Sequence, residues 1–480
     1  MTINRRRFLQ TGLAFAAYSS FVPGKLHAAI EDHHKIANIV RRSFQSSKPL
    51  VIVYPEGCLA NLQPIIKSFL SDTGVEVKAI PAHIDYITSE LLLAKRIRSN
   101  LGSFDLALPP SFSIPDLVED GTIVELSSFE KKYQNLSQRE KILYRLGSDY
   151  LDKFYGYQCD GDCYFLFFND SFMKSQRLAD AYAQTNGFKL TIPETWQELD
   201  RQIKFFHRPK ESLYGGSLFR IKGYVGWEFF ARFHAKGYYP LSDDFRPQFN
   251  NEAGLEALSE MIETTRFLHP GSCRLSFVEN IKLFAKGQIY ACLGWGGSQK
   301  FMQFPESKVM GKLLHAALPG IASDSGKVTM PLFNWGWNYV VSAASQRQEL
   351  AYLFSLYAST TEMSKQAVRV KEGFFDPFRS EHYQDQKIKE TYGESFLSVH
   401  EKALVDAIPD LYIAKQGLYK SAMEEGLLAA LNGYLRPQQA LNLIAEKWER
   451  LTDQYGREKQ LAQWAFIKKS YPVHVKKVLR

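Results

Sequence analysis

A chain of 480 residues with 45% hydrophobic and 23% charged side chains has the values of a globular protein, not a disordered one, and is long enough for two or three domains. The formal charge of +8 is modest and its basic residues are dispersed up to position 455, which argues against a nucleic-acid partner. Beyond the N-terminus no stretch approaches the roughly 18–20 uninterrupted apolar residues needed to span a bilayer.

At the N-terminus, Asn4-Arg5-Arg6-Arg7-Phe8-Leu9-Gln10 resembles the twin-arginine export motif. A modestly apolar run over 11–22 follows, then a helix-breaking Pro23-Gly24, a lone Lys25 and small residues at Ala28 and Ala29 suited to cleavage. Residues 1–29 are therefore expected to be a signal peptide, whose removal takes four basic and no acidic residues and lowers the charge from +8 to +4. No cysteine stands near the cleavage point, so the mature protein is expected free in the periplasm without a lipid anchor. His33-His34 would fall in its flexible start.

Residues 49–54 (PLVIVY) read as a buried strand. Leu62, Ile65, Ile66, Phe69 and Leu70 recur at helical spacing, Gly74 is placed to end that helix, and 75–80 returns to strand character. A helix over about 88–100 leads through Gly102 to a strand over 105–108. This β-α-β-α-β rhythm predicts a mainly parallel sheet with helices on its faces and ligands at the loops after the strands. A second α/β block begins near Tyr157. Residues 163–168 (CYFLFF) read as a strand, and Thr195-Trp196-Gln197-Glu198 as a capping box. Helices are expected over 252–267, 276–285 and, from a Ser345/Gln348 cap, through 357. After about residue 402 the pattern is almost wholly helical, broken by Gly433 and Pro437.

The order of these segments resembles the extracellular solute-binding proteins of family 1, the group of maltose-binding and related sugar-binding proteins, over roughly residues 48–455. Asp72-Thr73-Gly74-Val75-Glu76-Val77 looks like the first β-α-β unit, and Phe104-Asp105-Leu106-Ala107-Leu108 like the next strand. Leu166-Phe167-Phe168-Asn169-Asp170 followed by Pro193-Glu194-Thr195-Trp196 resembles the family's paired signature. Phe284-Ala285-Lys286-Gly287, Gly336-Trp337-Asn338-Tyr339 and the turn from Gly433 to Leu441 resemble later elements. The resemblance implies an α/β fold of the type II periplasmic-binding-protein kind, two lobes joined by a hinge that the chain crosses near 155–159, 334–337 and 370–374. The first lobe would comprise 45–157 completed by about 337–369, the second 158–336 completed by about 370–455, and 456–480 would be a basic tail without an assigned role. It also implies a monomer that captures a small polar ligand, a sugar or polyol, for the permease subunits of an ABC importer in the inner membrane. A non-sugar solute on the same fold and a twin-arginine-exported enzyme or redox partner are the alternatives.

Sugars are held by rings against their apolar faces and by carboxylates, amides or Arg at their hydroxyls. On loops after strands and at the crossings, this points to Tyr54 and Glu56, Ser111 and Phe112, Trp295 with its following glycines, Trp335 and Trp337, and Tyr412. The resemblance implies Asp162, where some family members hold a cleft acid, and Tyr224, in a region where maltose-type relatives place a ligand-binding Tyr. Maltose-type relatives carry a Trp and an acid at the loop where this chain has Ser111 and Phe112, so maltodextrin is a poor candidate. Trp196 and Trp448 sit on helical patterns and read as packing residues.

Five cysteines (Cys58, Cys159, Cys163, Cys273, Cys292) permit two disulfides in an oxidising compartment, with Cys159 and Cys163 the close pair. No metal ligand set is expected, because the C-x2-C spacing of zinc sites is absent. No nucleophile elbow, H-E-x-x-H or P-loop occurs, so no catalytic residue and no cofactor is expected.

Overall fold

The structure is a computed structural model describing residues 23–44, 48–94, 103–323 and 326–480. The twin-arginine motif, the apolar run after it and the end of the helix expected over 88–100 lie outside the described residues; that helix is described as Ile87–Ala94.

Nine strands build the two main sheets: β1 (Leu50–Pro55), β2 (Val77–Ala82), β3 (Leu106–Ala107), β4 (Gly156–Gln158), β5 (Phe165–Asn169), β6 (Tyr214–Ser217), β7 (Ile289–Gly294), β8 (Leu313–Ala317) and β9 (Asn338–Val341). The first sheet has the order β2-β1-β3-β9-β4, and the second β8-β5-β7-β6. In the first, β2, β1 and β3 are parallel, while β9 runs antiparallel to both β3 and β4. The sheet expected to be mainly parallel is thus mixed, because β9, which lies between β3 and β4, returns from the other lobe. The chain leaves the first sheet between Gln158 and Phe165, returns to it at Asn338, and goes back to the second lobe after the helix Thr361–Val368. It is a two-lobed α/β fold.

Local chemistry explains most of the elements. The helix Leu59–Thr73 buries Leu62, Ile65 and Phe69 and ends at Gly74, which takes the left-handed conformation (φ 76°). The capping box at Thr195 forms: its hydroxyl accepts the Glu198 amide, and Glu198 accepts the Thr195 amide. The cap expected at Ser345 does not. The hydroxyl of Ser345 donates to Asp105 and accepts the Arg347 amide, and the helix starts later, at Gln348.

Pro23-Gly24 opens a helix (Pro23–Ser43) instead of breaking one, since Pro fits a first helical turn where no amide partner is needed. That helix packs against Leu59–Thr73 and Gln348–Ala358. His33 is accordingly buried beside the Tyr357 ring and does not lie in a flexible start. Residues 456–480 are no free tail either. They form the helix Arg457–Ser470, whose Trp464 is buried and whose Gln463 accepts the Ala414 amide. None of the five cysteines is in a disulfide, the close pair Cys159 and Cys163 included; the Cys159 thiol donates to the Trp337 carbonyl at 3.3 Å.

In the second lobe the helix Val225–His234 is buried on every side, beneath Glu252–Thr265 and Gln416–Leu431. It carries two charges into the core: Glu228 and Arg232, joined there by Arg220.

Candidate functional site

Between the lobes lies a cavity of about 370 Å³, toward the lower end of the ~300–1,000 Å³ usual for small-molecule sites. The parallel strands β1 and β2 end at the same sheet edge, so their following loops deliver Glu56, His83 and Asp85 to one wall. The second lobe supplies Tyr224 before the helix Val225–His234, Phe277 at the start of the helix Phe277–Phe284, and Trp295 after β7. The connecting segments supply Asp162, Trp335, Trp337 and Phe374.

Trp295 is the fixed point of the aromatic wall. Its ring centroid lies 4.7 Å from Tyr164, 5.1 Å from Phe277 and 5.8 Å from both Trp227 and Trp335. Its Nε1 donates to Asn334 Oδ1 at 2.7 Å. Ring plane and ring edge are both held, so a ligand stacking there costs little side-chain entropy. The glycine after it is required by packing: a Cβ at Gly296 would stand 2.4 Å from Asp376 Oδ2.

At the floor, Asp162 is grouped with Asp160 and Asp376. Burial pushes all three carboxyls up, Asp162 to about 8 and Asp376 to about 6, while Asp160 is raised well above the usual range. The Asp376 charge pushes Asp162 further, and Lys300 with the Tyr392 hydroxyl pulls Asp376 back. In the unfolded chain these groups return to values near 3.8. Raised folded values mean that the protonated forms favour the fold, and that this stability is lost as pH rises through about 6 and about 8. Without divalent ions, the melting temperature is therefore expected to fall by several degrees from about pH 5 to about pH 9. Asp162→Asn should flatten the upper part of that fall in a thermal scan at each pH.

Of the residues expected at the cleft, Glu56, Asp162, Tyr224, Trp295, Trp335 and Trp337 line the cavity together. Four do not. Tyr54 is buried within the first lobe, because β1 is covered on both faces. Ser111, Phe112 and Tyr412 line an adjoining space of about 10 Å³ that touches Trp335, room for about one water molecule. The chain after β3 turns into a short 3-10 helix whose Ser111 amide bonds to the Trp335 and Gly336 carbonyls, so this loop supports the tryptophans from behind. His83, Asp85, Phe277 and Phe374 are cavity residues that sequence reasoning missed. His83 and Asp85 follow a strand end just as Glu56 does, and that signal was there to be read.

No curated protein matches the chain. The family described as bacterial extracellular solute-binding protein matches residues 64–392. Among solved structures, an ABC transporter solute-binding protein from Agrobacterium radiobacter K84 in complex with ribitol superposes with a TM-score of 0.70 at 17% identity, over 85% of this chain and 99% of that one. One from Thermotoga lettingae TMO bound with α-D-tagatose gives 0.70 at 20% identity over 84% and 99%. Maltose-bound MalE3 of T. maritima gives 0.69 at 15% identity over 84% and 99%. At these identities the likeness is one of fold.

Proposed function

The chain belongs to the bacterial extracellular solute-binding proteins, and we propose that it captures a small sugar or polyol between its lobes and delivers it to an ABC importer of the inner membrane. The observation that carries this reading is the make-up of the cavity wall. Tyr224, Trp295, Trp335 and Trp337 offer ring faces to C–H groups, Glu56, Asp85 and Asp162 offer polar oxygens to hydroxyls, and no Lys or Arg is among the described lining residues. An organic acid would meet the Glu56 and Asp85 carboxylates there, with no Lys or Arg among the described lining residues to pair with it. The structural relatives bound to ribitol, tagatose and maltose carry polyhydroxylated ligands of matching chemistry.

In this reading the segments around 158–164, 334–337 and 370–378 are the hinge. A solute that touches both walls binds the closed form better than the open one, and that difference in affinity drives closure. The protein acts as a monomeric receptor in the periplasm, exported by the twin-arginine motif at Arg5-Arg6-Arg7-Phe8-Leu9, and has no catalytic step. Export is tested by replacing Arg5, Arg6 and Arg7 with lysine and following the protein by cell fractionation.

Thermal-shift and calorimetric titration with ribitol, mannitol, tagatose, maltose, a dicarboxylate and a polyamine test the ligand class. At a concentration of 100 times Kd, a true ligand stabilises by about 2.7 kcal/mol. At least one sugar or polyol is expected to do so. Trp295→Ala should weaken that ligand by about 2 kcal/mol or more, some thirtyfold. Binding of the dicarboxylate or the polyamine alone, or turnover with no stabilising ligand, would overturn the reading.

A further inference from the structure

The floor of the cleft holds more negative charge than a neutral sugar needs. The carboxylates of Asp160, Asp162 and Asp376 offer oxygens within 4.8 Å of one another, and Asp160 and Asp376 are fully buried. Asp160 Oδ1 accepts the Asp376 amide at 2.7 Å, Asp162 Oδ2 the Gly336 amide at 3.2 Å, and Asp376 Oδ1 the Tyr392 hydroxyl at 2.8 Å, with the Gly297 amide also acting on Asp376. The remaining oxygens of Asp160 and Asp376 have no hydrogen-bond partner among the described residues, although both are sealed from water. Lys300 does not serve them with a hydrogen bond, because its Nζ donates to the carbonyls of Phe375 and Val370 at 3.1 and 3.4 Å. A buried carboxylate oxygen with nothing to bind is costly.

We infer that Asp160, Asp162 and Asp376 hold a divalent cation of the calcium kind beneath the solute cavity. A Ca²⁺ ion at 2.3–2.6 Å from each ligand keeps its oxygens no more than about 5 Å apart, which these satisfy. One oxygen fixed by an outer donor and the other left free is how ligating carboxylates are oriented. Three ionised carboxylates against Lys300 leave two negative charges, which a divalent ion balances. Gln158 adds a neutral oxygen nearby: its Nε2 donates to the Asp160 carbonyl at 2.6 Å, and its Oε1 is buried without a partner. Carboxylate and amide oxygens in a dry enclosure suit Ca²⁺ better than Mg²⁺, which keeps several waters. Asp162 also lines the cavity, so the ion is reached from the cleft. The competing state of the same oxygens is proton sharing, which burial and mutual repulsion favour when no ion is bound.

The test uses the full chain stripped with EDTA and no sugar, so its failure leaves the solute reading standing. Titration with CaCl₂ is expected to show one ion per chain and to raise the melting temperature by several degrees. Tb³⁺ should give tryptophan-sensitised luminescence that Ca²⁺ displaces. Affinity should rise from about pH 6 to about pH 8, as the ion releases the shared protons. Asp160→Asn and Asp376→Asn should each weaken Ca²⁺ by about tenfold or more. In EDTA both should melt no lower than the parent, since each removes a buried repulsion. No response of the parent to millimolar Ca²⁺ or to Tb³⁺, stabilisation by an alkylamine in place of Ca²⁺, Mg²⁺ binding as tight as Ca²⁺, or an unchanged Ca²⁺ response in both variants would each overturn the assignment. The Tb³⁺ titration of the unsubstituted protein decides the matter even if a variant does not fold.

Discussion

Glu228→Gln is expected to destabilise the protein by about 3–5 kcal/mol, the usual cost of breaking a buried ion pair from one side. Glu228 and Arg220 are each 1% exposed and Arg232 is 0% exposed. Both Arg220 and Arg232 donate to Glu228, Arg232 from its Nε at 2.9 Å. Arg232 also grips Asp200 with two bonds of 2.7 and 2.8 Å and stacks 4.3 Å over Trp196. Burial alone would push the Glu228 carboxyl up, yet the two arginines outweigh it and hold the group below its usual range. Glutamine keeps the shape but leaves Arg220 with only the Thr265 hydroxyl and the Phe219 carbonyl, and Arg232 with Asp200 and the partly exposed Glu260. The expected result is a lower denaturant midpoint at an unchanged slope. Arg220, Glu228 and Arg232 replaced together by apolar residues of similar volume should recover most of the loss.

Gly161→Ala is expected to be nearly as damaging, by about 1–3 kcal/mol or more, and to act on the hinge. A Cβ there would stand 1.9 Å from the Pro377 carbonyl oxygen and 2.7 Å from its carbon. These are backbone atoms of another connecting segment, so no rotamer change relieves the clash. The Gly161 carbonyl also accepts from His400 Nε2 at 3.0 Å, a bond that shifting this segment would strain. The two connections must separate, and both stability and solute affinity should fall in denaturation and calorimetry. Gly417→Ala is the control. It lies in the helix Gln416–Leu431 with nothing within 4 Å of its Cβ, and alanine there should be neutral or mildly stabilising.

Much of the local structure was legible because its signals are local. The strand, helix and strand over residues 50–82 each carry their own periodicity, and Gly74 and Thr195 mark ends through their own backbone and side-chain bonds. The rings at Trp295, Trp335 and Trp337 were legible as large side chains beside strand ends and crossings, and Tyr224 through the family resemblance. What escaped is set by distant pairings. The resemblance assigns residues 338–341 to the first lobe, but nothing in them says that they lie between β3 and β4 and run antiparallel to both. Ser111 and Phe112 follow a strand, as ligand residues do, but the Trp335 and Gly336 carbonyls capture the Ser111 amide and turn the loop inward. Asp376 lies 216 positions from Asp160, and a search for metals by Cys and His spacing passes over carboxylates joined only by the fold. Phe374 stands in an expected crossing, yet nothing about an isolated Phe distinguishes a cleft ring from a core ring.

The position of β9 bears on how the chain is made. A ribosome delivers β1, β2, β3 and β4 in order, but the strand that lies between β3 and β4 emerges only after the whole of β5 to β8. Until residue 341 has left the exit tunnel, the first sheet stays split, with the edges of β3 and β4 unpaired. Open edges of that kind pair with other chains, and long-range strand insertion is slow. The second lobe can assemble its sheet as it is synthesised; the first cannot. Deletions that end short of residue 338 are therefore expected to yield a chaperone-bound or aggregated product and no free N-terminal lobe.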